Sequence, residues 1–487
     1  MEKIKRFFHQ YWLIIFLTII GAFLRLYRLE STLQFLGDQG RDALVMKRLL
    51  IDHDLPFIGP VTSVGNFFLG PLYYYLMAPF LWLFRFNPAG PAYATAFIGV
   101  ITIPVLYLVA KDIFSKRTAK YSTLLYSIGY IPIIETRGAW NPNPMPLAAL
   151  GIVYGFFKAR QTRKPKWLFL SAFSLGVALQ LHYMIVFLGL FILYQLWLTW
   201  KHKSLRRYLL VWFLILIFMN LPLILFEFKN HFINVKGLLE YLGKSEYQQM
   251  DLWQKLKNLT GRSEEAIGML LGFGRTTNLI RTWVTRLVLL VVGWGLLKKP
   301  THGFKTITFW LILSIVAIAF YSGSIPPYYL AFLFPATFML LGEILSRFQG
   351  KFMVIVFAFL GLFLYFNLPP LVKDLSANGN LKSVQTTAKF IKADIDQHQY
   401  LSYNLALLDG TRDYPAHSFR YFLEVYGGQP LSQADYPQTQ VLYIISPYRQ
   451  TDVLSETIWE IDSIKPAQLV NVWEFETSEN IYKIERL

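Results

Sequence analysis

The sequence predicts a polytopic α-helical membrane protein that ends in a small α/β domain. Three observations carry this. Hydrophobic residues make up 54% of the 487 positions, and apolar stretches between Tyr11 and about Asn367 repeatedly approach the ~20 residues needed to cross a bilayer. Basic residues concentrate in the short loops between those stretches. The net charge of +17 is therefore read as contact with anionic lipid on the cytoplasmic side, not as nucleic-acid binding. From Leu371 onward the apolar runs shorten and charged and amide residues return. The chain has no cysteine, which excludes disulfides and thiolate metal sites.

The spans follow from the charge pattern. Lys3, Lys5 and Arg6 put the N-terminus inside. The apolar run after them has no A-x-A cleavage site, so residues 11–29 are expected as an uncleaved first span. The basic loop KDIFSKRTAK (111–120) is expected inside, and 91–110 supplies the crossing that reaches it. The segment GPLYYYLMAPFLWLFRF (70–86) is apolar but short and interrupted by Pro79. Counting it as a span would invert every later loop. It is expected as an interfacial or partly inserted helix on the outer side, with Tyr73, Tyr74, Tyr75 and Trp82 at headgroup level. The basic loops at 158–166, 201–208, 297–305 and 346–351 then all fall inside. About eleven spans result, in a transmembrane domain over 1–370 with large outer loops at 30–90 and 227–276. The tail, 371–487, is expected as an extracytoplasmic α/β domain: LKSVQTTAKFIKADI has helical spacing, and YLSYNLALLD, QVLYIIS, LVNVWEFET and NIYKIER read as strands.

Chemistry is expected on the outer face, where the large loops lie. GDQGRD places Asp38, Arg41 and Asp42 at i, i+3 and i+4, on one face of a helix that starts near Asp38. One reading is a helix cap with solvated first-turn charges. The other is a site: a helix N-terminus attracts anions, a guanidinium holds a phosphate bidentately, and a carboxylate abstracts a proton from a hydroxyl. Elsewhere, Arg137 stands at a span end, and Asn141, Pro142, Asn143 and Pro144 suit a tight turn. His182, in LHYM, is a turn residue or a ligand. No His/Asp cluster has the spacing of a metal site.

The order of these motifs resembles the GT-C polyprenyl-phosphate-sugar transferases, in particular the glycosyltransferase family 39-like group of protein O-mannosyltransferases and lipid A aminoarabinose transferases. The resemblance covers roughly the first 345 residues. It implies that Asp38 is the catalytic base, and that Arg41 and Arg137 lie near the donor phosphate. Gln39 stands where many members carry Glu. LGPL (69–72) occupies the place of an acidic-basic motif. In ETRGAWNPN, Asn141 and Asn143 replace the region of an aspartate. In SGSIPPYYLAFLFPA, Tyr328 or Tyr329 is kept and an arginine is missing. Gln39, Asp42, Asn141, Asn143, His182, Tyr328 and Tyr329 are thus the candidate substrate-binding residues.

The expected function is transfer of a sugar, with inversion, from a polyprenyl-phosphate donor to an acceptor hydroxyl on a protein, glycan or lipid. The expected setting is the cell membrane, with membrane lipids as partners. A divalent metal is compatible with the resemblance but is not predicted. The alternatives are a flippase for a lipid-linked sugar and a non-catalytic outer-face binding protein.

Overall fold

The computed structural model describes residues 2–62, 67–243, 252–272, 300–319, 321, 325–449, 452–475 and 479–487, with 282–283, 285–290 and 293. Most of the span expected before the basic loop at 297–305 lies outside these residues. So do part of the 227–276 loop and Ser322–Ser324 of the SGSIPP turn. The chain forms two compact units. One comprises Met1–Tyr27, Pro56–Leu76 and Ala92–Ser376; the other comprises Arg28–Leu55, Met77–Pro91 and Ala377–Leu487.

The first unit is helical. Among the described residues of the chain, four helices are long and apolar enough to cross a membrane: Ala89–Ile113, Tyr183–Trp200, Pro327–Ser346 and Gly350–His398. Lys203–Met219 and Leu221–Lys229, bent by 64°, make a fifth if the pair is one span. Tyr11–Leu26, Leu72–Leu83, Pro165–Leu181 and His302–Ile318 are shorter apolar helices. Helix length alone thus assigns fewer spans than the eleven expected from charge, because several segments break early. Lys116–Ile128 stops at Gly129, whose backbone is extended, and the next helix, Tyr130–Ile134, carries Pro132 in its first turn. The expected interfacial helix is Leu72–Leu83. At 1.5 Å per residue its twelve residues reach only about 18 Å, short of a ~30 Å hydrocarbon core.

Small residues let these helices approach closely. Gly151 and Gly155, one turn apart on Met145–Thr162, face Pro165–Leu181; a Cβ on Gly155 would press on Ser171 at 2.8 Å, and one on Gly151 on Ser174 at 2.9 Å. Buried polar groups close gaps where helices break. Asn367 accepts the Tyr130 N–H at 2.9 Å and donates to the Leu271 and Phe363 carbonyls at 2.9 and 2.8 Å. These bonds satisfy backbone groups that have no water to turn to.

The second unit holds a four-stranded sheet of order β1-β2-β4-β3, with β1 Tyr403–Leu407, β2 Val441–Ser446, β3 Ala467–Trp473 and β4 Asn480–Arg486. β1 and β2 are parallel; β4 runs antiparallel to both β2 and β3. β1 and β2 are buried along their whole length, so both faces of the sheet are covered there. One face packs Ala406, Leu442, Ile444, Tyr482 and Ile484 against Tyr436, Val453, Ile461 and Ile464. The other meets helix Leu381–His398, whose buried residues Val384, Ala388, Ile391 and Ile395 recur at helical spacing.

Tyr443 and Lys483 are register partners in β2 and β4, so they share a face. Both reach Asp394 of that helix, the Tyr443 hydroxyl at 2.5 Å and the Lys483 ammonium at 2.8 Å. Lys483 and Asp394 are nearly buried. Asp394→Ala leaves the ammonium without its carboxylate and is expected to cost about 3–5 kcal/mol, the usual penalty for breaking a buried pair. A denaturation midpoint unchanged by that substitution would contradict it.

Residues 28–55 belong to the same unit through specific bonds to the tail. The Asn380 side chain accepts from the Phe35 N–H at 2.7 Å and donates to the Phe35 carbonyl at 3.3 Å. The Gly379 N–H donates to the Ser31 carbonyl at 2.8 Å. Lys47 pairs with Glu424 at 3.2 Å, and the Phe35 ring packs edge-on against Tyr421 and Phe422.

Candidate active site

Helix Gly37–Ile51 begins where the sequence places it, but the cap is not Asp38. Leu36 is the N-cap, and the Gln39 side chain accepts its N–H at 2.7 Å. Gln39 is buried, and its side chain serves the helix end. Asp38 is thereby released from capping. Its carboxylate accepts from the Arg41 Nη1 at 3.0 Å, with the Asp38 side chain 68% exposed. The opposite edge of the same guanidinium donates to Asp42 through Nε at 3.2 Å and Nη2 at 3.1 Å. The Asp42 side chain is only 4% exposed.

The two pairs differ in strength. An exposed pair contributes about 0–1 kcal/mol. The Asp42 contact is buried and two-pronged, so it fixes the plane of the guanidinium. Arg41 is therefore held from behind by Asp42, with a weak, replaceable anion, Asp38, in front. Asp38 sits on the first turn of the helix, where the backbone dipole favours an anion, and Arg41 and Asp42 follow on the next turn.

The other expected residues lie in the helical unit. Arg137 is buried, and its guanidinium donates to the carbonyls of Leu24 at 3.0 Å, Arg25 at 2.9 Å and Tyr27 at 2.9 Å. These are unpaired carbonyls at the end of helix Glu2–Leu26. The structure thus gives Arg137 a capping role at the exit of the first helix. Asn141 donates to the Leu181 carbonyl, and Asn143 to the Gly138 carbonyl at 2.7 Å; both tie down turns.

His182, Tyr328 and Tyr329 come together. The His182 ring lies 6.2 Å from Tyr328 and 5.0 Å from Tyr329, centroid to centroid, and stacks on Tyr183 at 4.6 Å. Tyr183 donates to the Tyr329 hydroxyl at 2.9 Å, and Trp140 meets Tyr328 edge-on. Burial pushes the His182 pKa down to about 3, so the ring is neutral. Its Nδ1 accepts from the Met184 N–H at 3.3 Å, which leaves the proton on Nε2.

Sequence reasoning passed over Trp140, Tyr183 and Glu135. Glu135 borders a cavity of about 350 Å³ with Tyr130, Ile131, Ile134, Met269, Gly272, Pro327 and Pro370. A carboxylate at the end of an apolar segment was the available signal. Burial raises its pKa from 4.5 to about 7. Because the folded-state value is raised, the ionised form is disfavoured in the fold. Stability is greatest below the unfolded value and declines as pH rises from about 4.5 to 7. Glu135→Gln is expected to flatten that stretch of the Tm–pH curve; an unchanged slope would contradict the raised value.

Among the described residues, no three His, Asp or Glu side chains gather to hold a metal ion.

The family model described as dolichyl-phosphate-mannose-protein mannosyltransferase matches residues 69–226. No curated protein matches in sequence. In three dimensions the chain is similar to ArnT from Cupriavidus metallidurans bound to undecaprenyl phosphate, at TM-score 0.64 and 13% identity over 98% of each chain. It is also similar to the oligosaccharyltransferase of Archaeoglobus fulgidus in complex with Zn and sulfate, at TM-score 0.58 and 13% identity over 89% of this chain and 67% of that one. The archaeal oligosaccharyltransferase AglB from Archaeoglobus fulgidus, in complex with an inhibitory peptide and a dolichol-phosphate, matches at TM-score 0.55 and 12% identity, over 90% and 70% of the two chains. At such identities the likeness shows the fold, that of the GT-C glycosyltransferases.

Proposed function

We propose that this chain is a membrane glycosyltransferase that moves a sugar from a polyprenyl-phosphate donor to an acceptor hydroxyl on the outer face of the membrane, with inversion. The single observation that carries it is Arg41 clamped by buried Asp42 and paired in front with exposed Asp38. The fold shared with structures bound to undecaprenyl phosphate and dolichol-phosphate supports the donor class.

The chemistry follows from the charges. In the resting state the Arg41 guanidinium engages the Asp38 carboxylate. The donor phosphate competes for the exposed edge of the guanidinium. Because the Asp38 pair contributes at most about 1 kcal/mol, a phosphate displaces it readily, while the Asp42 contact keeps the guanidinium oriented. Asp38 is then free to take the proton of the acceptor hydroxyl, whose oxygen attacks the anomeric carbon opposite the phosphate. The bond from the anomeric carbon to the phosphate oxygen breaks, and its electrons leave on the lipid phosphate. That leaving group is already anionic, so it needs charge stabilisation more than a proton, which Arg41 supplies. Donor binding and base release are one event. Within the helical unit, half-buried Tyr328, backed by buried His182 and Tyr329, offers an aromatic surface suited to the apolar side of a sugar or to a polyprenyl chain.

The test is transfer by the purified full chain, in detergent or vesicles, from a panel of defined polyprenyl-phosphate sugars to hydroxyl acceptors. A new glycosidic bond of inverted configuration is expected. Movement of the lipid-linked sugar across vesicles with no new bond would contradict the reading in favour of a flippase.

A further inference from the structure

We propose that Asp413 is a positioning residue for Asp38, which gives the C-terminal sheet unit a direct share in the reaction. The inference rests on the reading of Asp38 as the base, and it begins with two glycines. Gly37 and Gly40 lie one turn apart at the start of the site helix, on either side of Asp38. A Cβ on Gly37 would overlap the Asp413 carboxylate, and its Cβ at 2.7 Å. A Cβ on Gly40 would fall on the main chain of His417 and Ser418, with the Ser418 Cα at 2.6 Å. The first turn therefore lies flat on residues 413–418, an approach that only glycine permits.

Asp413 is the centre of that contact. Its Oδ2 accepts the main-chain N–H of His417 at 3.0 Å, and its Oδ1 meets the His417 Nδ1. The His417 Nε2 lies 2.6 Å from the Gln433 amide nitrogen, so the imidazole is held at both ends. The Asp413 side chain is 12% exposed. His417 is the first residue of helix His417–Val425, and Gly37 the first of Gly37–Ile51. The carboxylate thus bonds the start of the helix at His417 and lies in close contact with the first residue of the site helix. Asp38 sits on the turn that this carboxylate pins. Its own side chain is mostly exposed, so the turn, rather than side-chain packing, sets where the base stands.

The test uses Asp413→Asn in the full chain, which keeps an acceptor for the His417 N–H and removes the charge. Gly37→Ala attacks the same contact from the other side, should the first variant fold poorly. In the transfer assay described above, both are expected to lower kcat per folded molecule about tenfold or more, with the donor KM within about twofold, as a misplaced catalytic group does. Amide hydrogen exchange should quicken in peptides covering 36–46 and stay unchanged in β1 and β2. A lesion that only weakens the fold would instead lower the folded fraction and spare kcat. Unchanged kcat and unchanged exchange, alongside an inactive Asp38→Asn, would overturn the role of Asp413 and leave Asp38 as the base. If Asp38→Asn retained turnover, the reading of Asp38 would fall. The exchange of 36–46 would then decide alone whether Asp413 holds the turn.

Discussion

Asp38→Asn is expected to lower transfer at least about 100-fold, the low end of what a positioned general base contributes. Asparagine keeps the size of the side chain and an oxygen that can accept from Arg41, so the fold and the helix start are expected to survive; that start is closed by Gln39 on Leu36, not by Asp38. Binding of undecaprenyl phosphate should change little, or tighten, because the amide competes less strongly than a carboxylate for the guanidinium. The diagnostic pattern is therefore a fall in kcat without a loss of lipid-phosphate affinity. Parallel losses in both would mean that Asp38 acts through binding.

Arg41→Gln is expected to do the reverse at the binding step. Hydrogen bonds to a charged partner are worth about 1.5–3 kcal/mol, so affinity for a polyprenyl phosphate should fall roughly ten- to a hundredfold, at about 1.4 kcal/mol per tenfold. The fold should also suffer, because Asp42 is buried and loses the guanidinium that faces it. A double variant separates the two effects. Arg41→Gln with Asp42→Asn removes the buried charge together with the guanidinium, so Tm should recover while affinity stays low. Arg41→Lys keeps the charge but not the two-pronged hold on Asp42, and should bind phosphate with intermediate affinity. Undiminished affinity in isothermal titration of Arg41→Gln would remove Arg41 from the phosphate site.

Local patterns in the sequence carried the part of the site that is local. The i, i+3, i+4 spacing put Asp38, Arg41 and Asp42 on one face, and the structure joins them through a single guanidinium. The alternating and β-branched runs after Tyr400 marked β1 to β4. Sheet order was not legible, because β4 inserts between β2 and β3, a long-range pairing that no local pattern encodes.

What the sequence did not show shares that cause. Gln39 resembles a substituted catalytic glutamate, yet its amide closes the helix start beside it. Arg137 resembles a phosphate ligand, yet it reaches back more than a hundred residues to carbonyls of the first helix. Gly37 and Gly40 carried no signal by themselves. Their meaning lies in residues 413–418, nearly four hundred positions away. The Trp140 and Tyr183 rings were hidden in a chain rich in aromatics, where one more ring is not a signal until its neighbours are known.

The most direct measurement is a structure of the full chain with a polyprenyl phosphate bound, read at the first turn of the site helix. Density for the phosphate against Arg41 is expected, with the Asp38–Arg41 pair opened and the Asp42 contact kept. A phosphate seated elsewhere, with Arg41 still joined to Asp38, would contradict the assignment of base and phosphate ligand together.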